Sequence, residues 1–193
     1  MHGERGVCIW FTGRSGAGKS TVTKALLPML EAQERTVTVL DVVPLLAKQP
    51  SERTSEGKLL RKAFVAGEVA RHGGIAICVT VSAGSAVRRR AREIVGSDHF
   101  VEVHLDIPVE VSEARRAARG KRAPWKKRVR RAFRQVKGRA GEGLSYDIPE
   151  DPDLRLDTTC GTPDAAATAI VSVLCDRGFL HHRRSECDRR VHD

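Results

Sequence analysis

The stretch that most limits what this chain can become runs from Val7 to Thr23, VCIWFTGRSGAGKSTVT. The apolar run Val7–Phe11 predicts a buried strand, and Ser20 to about Ala32 predicts a helix. Between them Gly13-Arg14-Ser15-Gly16-Ala17-Gly18-Lys19-Ser20 fits the pattern G-x-x-x-x-G-K-[ST]. Its glycines let the backbone bend tightly, so that consecutive N–H groups converge on phosphate oxygens. The helix opening near Gly18 adds its positive dipole end. The spacing therefore predicts a nucleotide site in which Gly13, Ser15, Gly16, Ala17, Gly18, Lys19, Ser20 and Thr21 form the phosphate cradle. Lys19 would reach the β- and γ-phosphates, and the Ser20 hydroxyl would hold Mg²⁺.

Composition narrows the setting. At 193 residues the chain is long enough to bury a proper core in one domain. No apolar stretch approaches the roughly 20 residues a membrane span needs, so no membrane partner is expected. The opening MHGERG runs directly into an expected strand and does not read as a secretory leader, so none is expected. Five cysteines with no C-x-x-C pair point to reduced thiols and a cytoplasmic setting. The net charge of +10 is concentrated: between Arg115 and Arg139 stand thirteen Lys or Arg residues and no acid. Such a block is a basic lid over a nucleotide, a solvated helix face or a nucleic-acid patch. With only Trp125 and Phe133 interleaved as stacking rings, nucleic acid is the weaker partner and the lid the favoured reading.

Strand-like runs alternate with helical ones, which predicts an α/β fold: a central parallel sheet with helices on both faces, a three-layer sandwich. The expected strands are Val7–Phe11, Thr36–Leu40, Ile75–Val81, Phe100–Leu105 and Leu154–Leu156. The expected helices are Ser20–Ala32, Lys58–Arg71, Ala86–Val95, one beginning over Glu110–Ala118, and Pro163–Asp176. Residues 1–177 form the expected single domain, with the lid at about 115–145 and a solvated tail over 178–193. His181-His182 has no further ligands at a useful spacing and belongs to that tail. In doubly wound sheets ligands gather at the carboxyl ends of strands. The candidates for chemistry are thus the glycine loop, Asp41, Ser82, Asp106 and Asp157-Thr158. Asp41 could hold Mg²⁺ through water or accept a hydroxyl proton, whereas Asp106 before Pro108 fits a turn and helix start.

Laid out in this order, the chain resembles the adenylylsulfate (APS) kinases, P-loop enzymes that phosphorylate the 3′-hydroxyl of adenosine 5′-phosphosulfate to give PAPS. The resemblance is carried by IWFTGRSGAGKST at Ile9–Thr21, RKAFVAGEVARHGG at Arg61–Gly74 and FVEVHLDIPVEVSEAR at Phe100–Arg115. WKK at Trp125–Lys127 and YDIPEDPDLRLDT at Tyr146–Thr158 complete it. It implies transfer of the ATP γ-phosphoryl group with Mg²⁺, a mobile lid and a homodimer. It also implies that Phe64 stacks on the acceptor's adenine, that Arg61 lies near the phosphosulfate, and that Arg115, Lys126 and Lys127 belong to the lid. Asp157-Thr158 would begin the loop beside the ATP base, and Ser82 would line the acceptor side.

The sequence departs from the family on that acceptor side. Where the family carries Asp-Gly-Asp after strand two, this chain has Asp41-Val42-Val43. Ser82-Ala83-Gly84-Ser85 replaces Ser-Pro, an aromatic and Arg; Lys58 replaces an asparagine; and Arg139–Gly143 replaces Phe-Thr-Gly-Ile-Asp. Three readings stay open: a kinase acting on APS, a family member acting on another small-molecule hydroxyl, and a nucleotide-binding protein with little transferase activity.

Overall fold

The structure, a computed structural model, describes residues 5–40, 55–80, 84–122 and 146–181. Strand β1 (Val7–Thr12) is buried along its whole length. Successive side chains of a strand point to opposite faces, so such a strand needs cover on both. Val7, Ile9 and Phe11 enter one apolar cluster, and Cys8 and Trp10 enter another on the opposite face. With β2 (Val37–Val39), β3 (Ile75–Val79), β4 (Phe100–Asp106) and β5 (Leu154–Asp157), it forms a sheet in the order β2-β3-β1-β4-β5. Every neighbouring pair is parallel. Burial on both faces is why the central strands read as unbroken apolar runs.

Helices α1 (Lys19–Glu31) and α5 (Pro163–Asp176) pack together over the first face. Val22, Leu26 and Leu30 recur at every fourth position of α1, and Ala167, Ile170 and Leu174 share one stripe of α5, as a one-sided helix requires. The Thr162 hydroxyl caps α5 by accepting the Ala165 N–H at 3.1 Å, and Pro163 presets the first helical φ. Over the second face lie α2 (Ser55–Arg71) and α3 (Ser85–Val95). There the Trp10 and Phe100 rings meet with centroids 5.6 Å apart. Fully buried rings of this size are worth about 3–5 kcal/mol each against alanine. Helix α4 (Val109–Arg122) follows β4. Among the described residues no helix is long and apolar enough to cross a membrane.

Some boundaries differ from the expected ones. The third strand is described to Val79, and Thr80 follows it by donating both its N–H (3.2 Å) and its hydroxyl (2.9 Å) to the Phe11 carbonyl, while Val81 lies outside the described residues. Helix α2 starts at Ser55, a turn before Lys58, and α4 extends into the basic block as far as Arg122. The rest of that block, from 123, lies outside the described residues. The solvated tail placed after Arg177 needs correcting at its start. Phe179 and Leu180 are buried in the first cluster. Buried Arg35 fixes them, donating to the carbonyls of Phe179 (2.6 Å), Arg5 (2.9 Å) and Gly73 (2.8 Å).

A polar layer covers β4 on the side of α3. Glu102 pairs with Arg88 at 3.0 Å, and burial raises its carboxyl pKa against the pull of Arg88 and Arg92. Asp153 accepts from Arg92 at 2.6 Å, from the Glu102 N–H at 2.6 Å and from Arg177 at 2.7 Å. Burial pushes the Asp153 carboxyl up, but these partners more than offset it and hold the group below its ordinary value. An Asp153→Asn variant is expected to lose about 1–3 kcal/mol of stability at neutral pH, read by urea unfolding. A depressed carboxylate stabilises above its unfolded pKa, about 3.9, and that contribution disappears as pH falls through the lower folded value. The two proteins should therefore converge in acid; an equal gap at pH 7 and pH 3 would contradict this role.

Candidate active site

The loop between β1 and α1 is bent at three glycines with positive φ: Gly13 at 144°, Gly16 at 110° and Gly18 at 89°. Gly13 is also crowded, since a Cβ there would stand 2.5 Å from the Leu105 carbonyl oxygen. Inside the loop the Ala17 N–H donates to the Arg14 carbonyl at 3.1 Å, and Lys19 Nζ donates to the carbonyls of Gly13 (2.7 Å) and Arg14 (2.9 Å). These bonds hold the Lys19 ammonium, only 7% exposed, against the inner rim of the turn. Among the described residues the N–H groups of Ser15, Gly16 and Gly18 have no protein acceptor. Amides gathered at the start of a helix with no acceptor, beside a buried ammonium, make an anion-binding site. Ser20 stands exposed in the first turn of α1.

Two side chains tie this loop to the rest of the sheet, and a third steadies one of them. The Ser112 hydroxyl of α4 donates to the Ser15 carbonyl at 2.8 Å. The Thr158 hydroxyl, just after β5, donates to the Ala17 carbonyl at 2.9 Å. Arg115 donates to the carbonyls of Thr158 (2.9 Å) and Thr159 (3.1 Å). The Thr159 side chain, together with the Thr159 N–H that the Asp157 carboxylate accepts at 2.7 Å, keeps the Asp157 pKa low. Between these elements lies a largely apolar cavity of about 580 Å³, opening from Gly16 and Gly18. Thr21, Arg115, Asp157 and Pro163 are among its lining residues. A planar base fits such a space, with its phosphates directed at the loop amides.

On the other side of the loop, Tyr146 stands beside β1 and β4. Its hydroxyl lies 3.1 Å from Thr12 Oγ1 and 3.0 Å from His104 Nδ1, and the two rings stack with centroids 5.9 Å apart. Burial pushes the His104 pKa down, although Asp106 opposes this, so the imidazole is neutral at pH 7. Burial likewise pushes the Tyr146 phenol up. The Asp106 carboxylate turns to His104 Nε2 (3.6 Å) and Arg155 (3.8 Å), away from the helix start the sequence suggested.

The donor residues read from the sequence thus meet in one place: Gly13 through Thr21, Arg115, Asp157 and Thr158 all border the loop or its cavity. Arg115 and Thr158 act there as braces through backbone carbonyls. On the acceptor side, Arg61 is half-buried and Phe64 is 57% exposed, both on α2. Asp41, Ser82, Lys126 and Lys127 lie outside the described residues. Arg14, His104, Ser112 and Tyr146 all stand inside stretches that the sequence singles out, but none was given a role there. An advance sign was the polar pair Glu102 and His104 inside β4.

A β2-β3-β1-β4-β5 parallel sheet with this loop after its central strand, and a base-sized cavity alongside, defines a P-loop kinase. A family-level sequence profile described as adenylylsulphate kinase matches residues 5–157. The adenylyl-sulfate kinase of Halothermothrix orenii is 32% identical, with 94% of this chain and 96% of that protein covered. The Pseudomonas aeruginosa adenylyl-sulfate kinase is 34% identical, over 89% of this chain and 86% of its own length. Among solved structures, the Mycobacterium tuberculosis APS kinase in complex with AMPPNP and APS is 28% identical. It superposes with a TM-score of 0.67 over 89% of this chain and 98% of that one. The chain belongs to the adenylylsulphate kinase family.

Replacing Gly13 by alanine tests the loop geometry. Strained φ and the clash with the Leu105 carbonyl should force the turn open, weakening ATP binding by at least about tenfold in calorimetry while the helical circular-dichroism signal persists. Unchanged affinity in a folded Gly13→Ala protein would contradict the cradle.

Proposed function

We propose that this chain transfers the γ-phosphoryl group of ATP to the 3′-hydroxyl of adenosine 5′-phosphosulfate. The observation that carries this reading is the set of loop amides around Lys19 that have no protein acceptor among the described residues, aligned with a base-sized cavity. Phosphoryl transfer asks a protein chiefly for positioning and for neutralised charge. The amides and Lys19 do both for the donor. The substrate assignment draws on family membership and on the relative whose structure holds AMPPNP and APS together.

Mg²⁺ fits the residues at hand. Among the described residues no three His, Cys, Asp or Glu side chains cluster as a metal cage. An exposed hydroxyl at Ser20, one carboxylate and phosphate oxygens are what this cation accepts. Ser20 and Asp41 would hold it, and bound there it would offset charge on the β- and γ-phosphates. In this reading Asp41 also takes the hydroxyl proton, doing the work of the family's missing second carboxylate. Arg61 and Phe64 seat the acceptor with Ser82, while Lys126 and Lys127 close over it. A homodimer in the cytoplasm belongs to the same proposal, and sedimentation velocity reads the oligomeric part.

Incubation with ATP, Mg²⁺ and APS should yield the 3′-phosphorylated product. Its absence, with turnover of another alcohol or nucleoside, would replace APS by that acceptor. Lys19→Ala should lower phosphorylation by at least about 10² while thermal unfolding stays near wild type; near-normal turnover would refute its role. Asp41→Asn should lower kcat and shift the Mg²⁺ requirement upward, whereas unchanged kinetics would remove Asp41 from the chemistry.

A further inference from the structure

The phosphate loop carries a second cation, Arg14. Its backbone is pinned from within, since the Arg14 carbonyl accepts both Lys19 Nζ (2.9 Å) and the Ala17 N–H (3.1 Å). Its side chain is seated from without: the guanidinium carbon lies 5.5 Å from the centre of the Tyr146 ring. Among the described residues no carboxylate pairs with it. Tyr146 is itself fixed, by Thr12 at 3.1 Å and by His104 at 3.0 Å. His104 is 1% exposed, and its Nε2 has no hydrogen-bond partner among the described residues, facing Asp106 at 3.6 Å. The pattern that satisfies most groups runs Thr12 O–H to the Tyr146 oxygen, then Tyr146 O–H to His104 Nδ1, leaving Nε2–H toward Asp106.

A guanidinium seated on a tethered ring, with no carboxylate partner among the described residues and at the rim of an anion cradle, is a cation held ready for an anion. We propose that Arg14 is a catalytic cation that contacts the transferring phosphoryl group, and that Tyr146, tethered by His104 and Thr12, is the residue that positions it. This rests on the phosphotransfer reading above. During transfer the acceptor oxygen bonds to Pγ while the bond from Pγ to the β-bridging oxygen breaks. That electron pair leaves on ADP, and the acceptor's proton passes to Asp41. Arg14 forms no covalent bond and moves no proton; it meets charge on the equatorial oxygens, where a preset donor is most effective. A planar guanidinium keeps its stacking seat while its edge donates, which an ammonium cannot do.

The test uses the full-length protein with Mg²⁺, steady-state kinetics and calorimetric affinities for ATP and ADP. Arg14→Ala should lower kcat by about 10²–10³ and weaken ATP without weakening ADP more than about twofold. Arg14→Lys should be intermediate. Tyr146→Leu should reproduce the Arg14→Ala loss, and the double variant should be no worse than Arg14→Ala alone, because the two act as one unit. Tyr146→Phe keeps the ring but frees it, so kcat should fall by about tenfold with the KM for ATP unchanged; this variant decides the matter if Tyr146→Leu does not fold. Additive losses, equal weakening of ATP and ADP, or an effect confined to the acceptor's KM would overturn the proposal. The ATP-to-ADP ratio needs no acceptor. If APS proves not to be phosphorylated, a collapsed ratio in Arg14→Ala still supports Arg14, and an unchanged ratio overturns it.

Discussion

Everything in this fold depends on a few main-chain amides that, among the described residues, have no protein acceptor. An N–H left without a partner forgoes the stabilisation of a hydrogen bond, so a loop that keeps several must be braced on all sides. The braces are visible. Glycine torsions set the bend, Lys19 clasps the carbonyls of Gly13 and Arg14 from inside, and Ser112 and Thr158 fasten the outer carbonyls. The result is an electropositive cup whose geometry does not wait for its ligand, which is what transfer of a highly charged group requires.

The two flanks of that cup are built differently. Toward β5 and α5 the walls are small and apolar, suited to a base, with polar atoms committed to bracing each other. Toward β4 and α3 the sheet face carries a polar layer beside its apolar cluster. Glu102, Arg88, Arg92 and Asp153 are paired there, and above them Thr12, Tyr146, His104 and Asp106 are linked up to the loop itself. That layer lets the segment from Tyr146 to Asp153 seat firmly on the sheet beside the glycine loop.

The sequence alone determined the sheet, the alternation of strands and helices, and the phosphate loop. These are local: apolar periodicity reports which faces are covered, and Gly13, Gly16 and Gly18 are demanded by torsions that no other residue adopts cheaply. It also placed Arg115, Asp157 and Thr158 near the nucleotide, although only as expectations about position. Tertiary structure decided their work, because a side chain's partner depends on which strands become neighbours. Ser112 meets Ser15 only because α4 follows a strand adjacent to β1. Tyr146 meets Thr12, His104 and Arg14 across β1 and β4, from more than forty residues away along the chain in each case. Phe179 and Leu180, past the last predicted helix, join the core because Arg35 captures the Phe179 carbonyl from far away in the chain. No periodicity encodes such meetings; they are fixed when the parallel sheet closes in its particular strand order.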